Sequence, residues 1–206
     1  MINYKKDYKK IYLPNNAPEK ITIPRIRYVA LCGEGDPNRD EFSKEIEALY
    51  SFSYALKMSY KTDKIPMGYY EYVVFPLEGV WDLIDKSISS NNKENYKYTL
   101  MIRQPDFLTD ELFETFKNEI EAKKNNFMIK KLHLLDIDEG ECIQMMHLGP
   151  YSTEKESFTK MEEWALKNNL IRKELTHREI YISDPRKIKD EQKMKTVLRF
   201  KVGNND

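Results

Sequence analysis

Glu179 stands in the stretch His177-Arg178-Glu179-Ile180-Tyr181-Ile182-Ser183, where Ile180 and Ile182 alternate with His177, Glu179 and Tyr181. A period of two argues for a short strand, closed here by Ser183-Asp184-Pro185. One face then suits a core, and the other carries an imidazole, a carboxylate and a phenol. A carboxylate in an apolar wall is costly unless a cation or hydrogen-bond donors meet it. This face therefore reads as the floor of a pocket whose charge awaits a ligand; the alternative is an ordinary solvated strand face, since charged groups are mostly exposed.

Composition narrows the classes of partner. The 206 residues suffice for a real core in one large domain or two small ones. Lys+Arg and Asp+Glu number 34 each, so the basic excess that nucleic-acid binding rests on is missing. No apolar run approaches the roughly 20 residues of a membrane span, and the first residues lack a signal-peptide core. A cytoplasmic, monomeric protein is expected. Cys32 and Cys142 each lie in an apolar stretch and read as small buried hydrophobes without a disulfide. Neither has metal-ligand spacing, and no Ser-His-Asp or Cys-His arrangement is present, so neither metal nor cofactor is expected. The 14 tyrosines are many and favour half-apolar surfaces and pockets.

The elements that would position the Glu179 face follow from pattern. Tyr4, Tyr8, Ile11 and Tyr12 suit one face of an N-terminal helix, with a linker to residue 20. Ile21–Cys32 reads as a strand ending in Gly33-Glu34-Gly35-Asp36-Pro37-Asn38, an ordinary turn rather than a phosphate loop, because no Gly-Lys-Ser/Thr follows. A helix is expected over Asp40–Met58, with Phe42, Ile46, Leu49, Tyr50 and Ser53 inward and Glu45 solvated. Tyr69–Trp81 reads as an aromatic strand interrupted near Pro76 and Gly79, and Tyr96–Ile102 as another. Thr109 caps a helix to about Lys124. The pattern then restarts with two strand-like pieces in 132–146 around Asp138-Glu139-Gly140, and a turn at His147–Tyr151. Thr153-Glu154-Lys155-Glu156 reads as a capping box for a helix with Phe158, Met161 and Ala165 inward. The Glu179 strand follows, then a charged loop over 186–192 and a last strand, Met194–Val202.

Strand, Gly turn, helix, strand, strand thus occurs twice, with the Glu78 segment falling against the Glu179 segment. The expected organisation is an N-terminal helix and linker (1–20), a first repeat (21–127) with an extra helix at 109–124, and a second repeat (128–206). The fold class is α+β, a pseudo-twofold antiparallel sheet with helices packed on it and a ligand groove between the halves.

Five motifs in order resemble the GyrI-like small-molecule-binding proteins, in their stand-alone bacterial branch. They are Cys32–Asn38, Phe75–Trp81, Ile102–Phe107, Met146–Tyr151 and His177–Lys187. The resemblance implies tandem strand-helix-strand-strand (SHS2) modules, as in the effector-binding domains of drug-sensing regulators. There a buried Glu meets cationic aromatic drugs, and Glu179 is the matching position. Some stand-alone members hydrolyse cyclopropane-bearing DNA-alkylating natural products in an aromatic cage, which makes a cyclopropyl hydrolase one expectation. The chain departs from many relatives at Cys32, Asp82 and Arg178, where an acidic residue, a second Trp and a second His are common.

On this reading Glu179 is the expected base, with Glu78 second and Tyr181 or His147 as hydrogen-bonding helpers. Trp81, Tyr181, Tyr54 and Tyr69 are candidate aromatic walls for a planar or cationic ligand. Core packing competes for each of these four, and structural hydrogen bonding competes for His147 and His177. The alternative function is a non-catalytic module that sequesters drugs or binds a protein such as a topoisomerase.

Overall fold

The computed structural model describes residues 1–62, 65–184 and 188–205; the Pro185-Arg186-Lys187 end of the strand motif and the start of the expected charged loop lie outside the described residues. The helices are α1 (Tyr4–Asp7), α2 (Lys9–Tyr12), α3 (Asp40–Met58), α4 (Asp110–Lys123) and α5 (Glu154–Lys167). The strands are β1 (Glu19–Ile23), β2 (Ile26–Glu34), β3 (Leu77–Leu83), β4 (Tyr96–Arg103), β5 (His133–Ile137), β6 (Gly140–Leu148), β7 (Leu170–Arg172), β8 (His177–Tyr181) and β9 (Lys195–Asn204). The architecture is α+β with antiparallel ladders. The chain forms two compact units, one of Met1–Asn3, Ile26–Leu77 and Leu83–Ile137, the other of Tyr4–Arg25, Glu78–Asp82 and Asp138–Asp206.

In the first unit β2 is central, paired with β4 from Tyr28↔Arg103 to Glu34↔Lys97 and with β5 from Ile26↔Ile137 to Ala30↔His133. Arg27 ties the rim, bidentate to Asp136 at 2.9 Å and reaching Asp110 at 2.8 Å. Thr109 caps α4 by accepting from the Leu112 N–H. The inward face of α3 is rotated from the expected one: Glu45, Ala48, Leu49, Phe52, Ser53 and Leu56 are buried. Glu45 tolerates burial because the Tyr98 hydroxyl donates to it at 2.9 Å. The Tyr98 ring in turn lies over Gly33, where a Cβ would come within 2.4 Å.

Two further expectations for this unit change. Only Leu77–Leu83 of the aromatic stretch is a strand; upstream, Tyr69, Tyr70 and Tyr72 gather their rings around Phe107 at 5.3–6.1 Å. Cys32, near the end of β2 where burial fades, is exposed, whereas Cys142 is buried, and both are free thiols.

In the second unit the strand order is β1-β6-β9-β8-β3, with β7 on the end of β9. The run expected to be one strand from Ile21 breaks at Pro24, and its first half, β1, pairs with β6. Register assigns the faces. Ile143, Met145, Leu198 and Phe200 join Met161 and Ala165 of α5 in one apolar cluster, which Phe158 and Trp164 flank. Arg178, Arg199 and Gln144 alternate with these residues and so lie on the opposite face.

That opposite face holds buried ions. Arg178 meets Glu78 at 2.7 Å and Glu139 at 2.9 Å. Arg199, with no exposed surface, meets Glu139 at 3.0 Å, Gln144 and the Ile11 carbonyl. The Tyr12 hydroxyl donates to Glu78, and Gln144 donates to the Lys10 carbonyl. Two guanidiniums and two carboxylates balance, which lets the charges be buried. The network also anchors the N-terminal segment, which forms two short helices rather than one. Buried Tyr4 and Tyr12 meet edge to face at 5.4 Å across the break.

Candidate functional site

β8 pairs with β3 from Glu78↔Ile180 to Trp81↔His177 and with β9 from Arg178↔Arg199 to Tyr181↔Thr196. Directly opposed residues share a face. His177, Glu179 and Tyr181 therefore lie with Gly79 and Trp81 on the side of the apolar cluster, while Arg178 and Ile180 lie with Glu78 on the ionic side. The hydrogen bonds follow this division.

Glu179 is 9% exposed. His177 Nε2 meets its Oε1 at 3.0 Å and the Tyr181 hydroxyl donates to its Oε2 at 2.9 Å. Tyr181 in turn accepts from Trp81 Nε1 at 2.8 Å. The indole N–H, the phenol and the carboxylate thus form one directional chain ending on Glu179. Burial, and then the Glu179 charge, push the Tyr181 phenol well above its ordinary pKa, so it stays a donor. Around the chain, the Tyr151 ring meets Tyr181 edge to face at 6.0 Å, and Phe158 meets His177 at 4.7 Å.

Glu154, the first residue of α5, completes the site. It is 8% exposed and hydrogen-bonds to Glu179. Its pKa is pushed up to about 10, first by burial and then by the Glu179 charge and hydrogen bond. The capping box expected here does not form: the Thr153 hydroxyl accepts from no helix N–H and donates instead to the Pro150 carbonyl, and the neighbouring Glu154 carboxyl turns to Glu179. Tyr151 is likewise raised, by burial and then by Glu179 and Glu154.

His147 sits behind this turn. Its Nε2 is 3.1 Å from the Pro150 carbonyl, which can only accept, so Nε2 carries hydrogen. Nδ1 shares a hydrogen bond with the Ser157 hydroxyl at 2.9 Å. Both ring nitrogens are spent holding the loop that presents Tyr151 and Glu154.

The structure thus brings together Glu179, Tyr181 and Trp81 from the sequence-derived set and adds Glu154 and Tyr151. Glu78 faces the other side of the sheet, paired with Arg178. Tyr54 and Tyr69 belong to the first unit. Tyr54 is 51% exposed with its ring 6.1 Å from Tyr50, and Tyr69 donates to the Lys57 carbonyl. A Glu in the first turn of a helix is an ordinary solvated choice, so nothing in the sequence singled out Glu154. Arg178 did carry a signal, since period two places it beside Ile180. Among the described residues no group of His, Cys, Asp or Glu is placed to hold a metal ion, and no helix is long and apolar enough to cross a membrane.

Comparison with known proteins agrees with this architecture. The GyrI-like small molecule binding domain matches residues 16–202. An uncharacterized conserved protein from Listeria innocua is 37% identical, with a TM-score of 0.93 over 98% of this chain and 100% of its own. A hydrolase from Listeria innocua is 35% identical, with a TM-score of 0.90 over 98% and 100%. The C-terminal domain of EcmrR shares the fold at 13% identity, with a TM-score of 0.55 over 91% and 97%. No curated protein matches. The chain belongs to the GyrI-like family of small-molecule-binding domains.

Proposed function

We propose that this protein captures planar aromatic or cationic small molecules at Glu179 and hydrolyses cyclopropane-bearing alkylating compounds there. The observation that carries the reading is a carboxylate 9% exposed, with a donor on each oxygen, among the rings of Trp81, Tyr181, Tyr151 and Phe158. Such a group is a counter-charge for a cation and, shielded from bulk water, a base. The Listeria innocua hydrolase, similar along its full length, favours the second role.

In the proposed step, Glu179 takes a proton from a bound water as the water oxygen bonds to a ring carbon. The strained carbon–carbon bond breaks, and its electron pair moves into the conjugated carbonyl. The proton taken from water returns to that carbonyl oxygen, so the net change is addition of one water. Tyr181 and His177 hold the carboxylate in place, and Trp81 fixes the phenol.

The test is turnover of a spirocyclopropyl-cyclohexadienone alkylator, followed by loss of dienone absorbance and gain of one water in mass. Glu179→Gln should slow it roughly 10²–10⁴-fold, the range of a lost general base. Turnover by this variant at the wild-type rate overturns the assignment. Binding without turnover in the wild type would leave the non-catalytic, drug-sequestering form of the function.

A further inference from the structure

A groove of about 490 Å³ lies at the C-terminal end of α5, a size within the roughly 300–1,000 Å³ of small-molecule sites. Trp164 and Leu170 form its apolar part, and Asn168, Asn169, Asn204, Asn205 and Lys20 line the rest. Asn169 takes φ 56°, a left-handed conformation that asparagine tolerates just past a helix end. Its carbonyl accepts from the Asn205 N–H at 3.0 Å, and β7 sets Leu170 opposite Asn204. Both asparagine pairs are thereby brought to one rim. Lys20 reaches the groove from β1, where it sits opposite Ile143 and so on the α5 side of the sheet. The Glu179 strand and β3 lie at the other end of this unit's strand order, so the groove is separate from the site described above.

Trp164 is half-buried against the apolar cluster of this unit. Its indole N–H and the side-chain amides of Asn169, Asn204 and Asn205 meet no partner among the described residues, whereas the Asn168 amide donates to the Trp164 carbonyl at 2.8 Å. Lys20, the only charged residue among the described ones that line the groove, pairs with Glu141 at 2.7 Å. No unbalanced charge therefore awaits an ion. A carboxamide both donates and accepts, and three of them beside an indole match a ligand with hydroxyls at its rim and C–H bonds on its face. We propose that this groove binds neutral pyranose sugars, with the ring face on Trp164 and the hydroxyls toward Asn169, Asn204 and Asn205. Water already satisfies exposed amides, so the hydroxyls exchange one set of hydrogen bonds for another and select the ligand. Removing the indole and the sugar's C–H face from water supplies the affinity. This proposal does not depend on the reading of Glu179.

The chain has two tryptophans, Trp81 beside Glu179 and Trp164 in the groove, so the two indole N–H resonances in a proton–nitrogen correlation spectrum of the full chain report the two places separately. Trp164→Phe assigns them. Cellobiose, whose β-linked rings carry their hydroxyls at the rim, should move the Trp164 resonance saturably at millimolar concentration and leave that of Trp81 in place. Asn169→Gly combined with Asn204→Ser removes two amides and keeps the left-handed turn, since glycine adopts positive φ freely. Affinity for cellobiose should fall at least about tenfold in this variant, as expected for the loss of two hydrogen bonds. Absence of a saturable movement at Trp164 overturns the proposal, as does an affinity unchanged in the double variant. Movement of the Trp81 resonance alone overturns it too, since the sugar would then sit beside Glu179. If the double variant does not fold, Asn204→Ser decides: weaker binding than wild type supports the proposal, and equal binding overturns it.

Discussion

Gly79 lies directly opposite Glu179 in the β3–β8 ladder, and the space its missing side chain leaves is filled by the Trp81–Tyr181 hydrogen bond. A Cβ at Gly79 would come within 2.8 Å of Trp81 Nε1 and 3.0 Å of the Tyr181 hydroxyl. The close approach of a backbone to two aromatic side chains is what glycine permits here.

Gly79→Ala should therefore displace the indole and break the chain that orients Glu179. The expected result is a folded protein with changed tryptophan fluorescence and at least about tenfold weaker binding of an aromatic cation, equivalent to about 1.4 kcal/mol. Fluorescence and affinity equal to wild type would show that the indole shifts without consequence.

Tyr181→Phe removes the donor to Glu179 and the acceptor of Trp81 Nε1 together. Buried Glu179 and the half-buried Trp81 indole each lose a partner, at a cost of about 1–3 kcal/mol for the buried carboxylate and less for the indole. Urea unfolding should record a total loss of at least about 1 kcal/mol. A double variant with Trp81→Phe should lose less than the sum of the single changes, since the two residues share a bond.

Glu154 sets a pH dependence of stability. Its pKa is raised from 4.5 to about 10 in the folded state, so the native protein holds this proton more tightly than the unfolded chain. The contribution is full below the unfolded pKa and declines as pH rises through the window from 4.5 to about 10. Relative to Glu154→Gln, which cannot ionise, the wild type should lose up to about 1 kcal/mol per pH unit between about pH 5 and about pH 9. Parallel stability curves for the two proteins would exclude a proton held at Glu154.

Glu139 has the opposite sign. Burial alone would raise its pKa, but Arg178 and Arg199 together outweigh burial and hold it below the ordinary carboxylate range. Its stabilisation is present above the unfolded pKa and is lost as pH falls through the depressed value. Glu139→Gln leaves two buried guanidiniums short of a counter-charge, so a loss of about 3–5 kcal/mol is expected in denaturant unfolding at neutral pH. A loss below about 1 kcal/mol would mean that water enters the network.

Much of the frame was legible in local pattern. The Asp40–Met58 helix and the cap at Thr109 appear where sequence placed them, because helix periodicity and capping depend on neighbours a few residues away. Other readings failed for non-local reasons. Glu45 is buried only because Tyr98, 53 residues on, supplies a donor. The tyrosines at 69–72 leave strand alternation because Phe107 offers a packing site.

The candidate site divides along the same line. Sequence by itself put His177, Glu179 and Tyr181 on one face, since alternation is a local property of an extended chain. Only the tertiary structure decided that Trp81, 100 residues from Tyr181, anchors that phenol, that Glu154 meets Glu179, and that Glu78 turns instead to Arg178. Strand register and helix placement make those choices, and a slip of one residue would send each side chain to the other face.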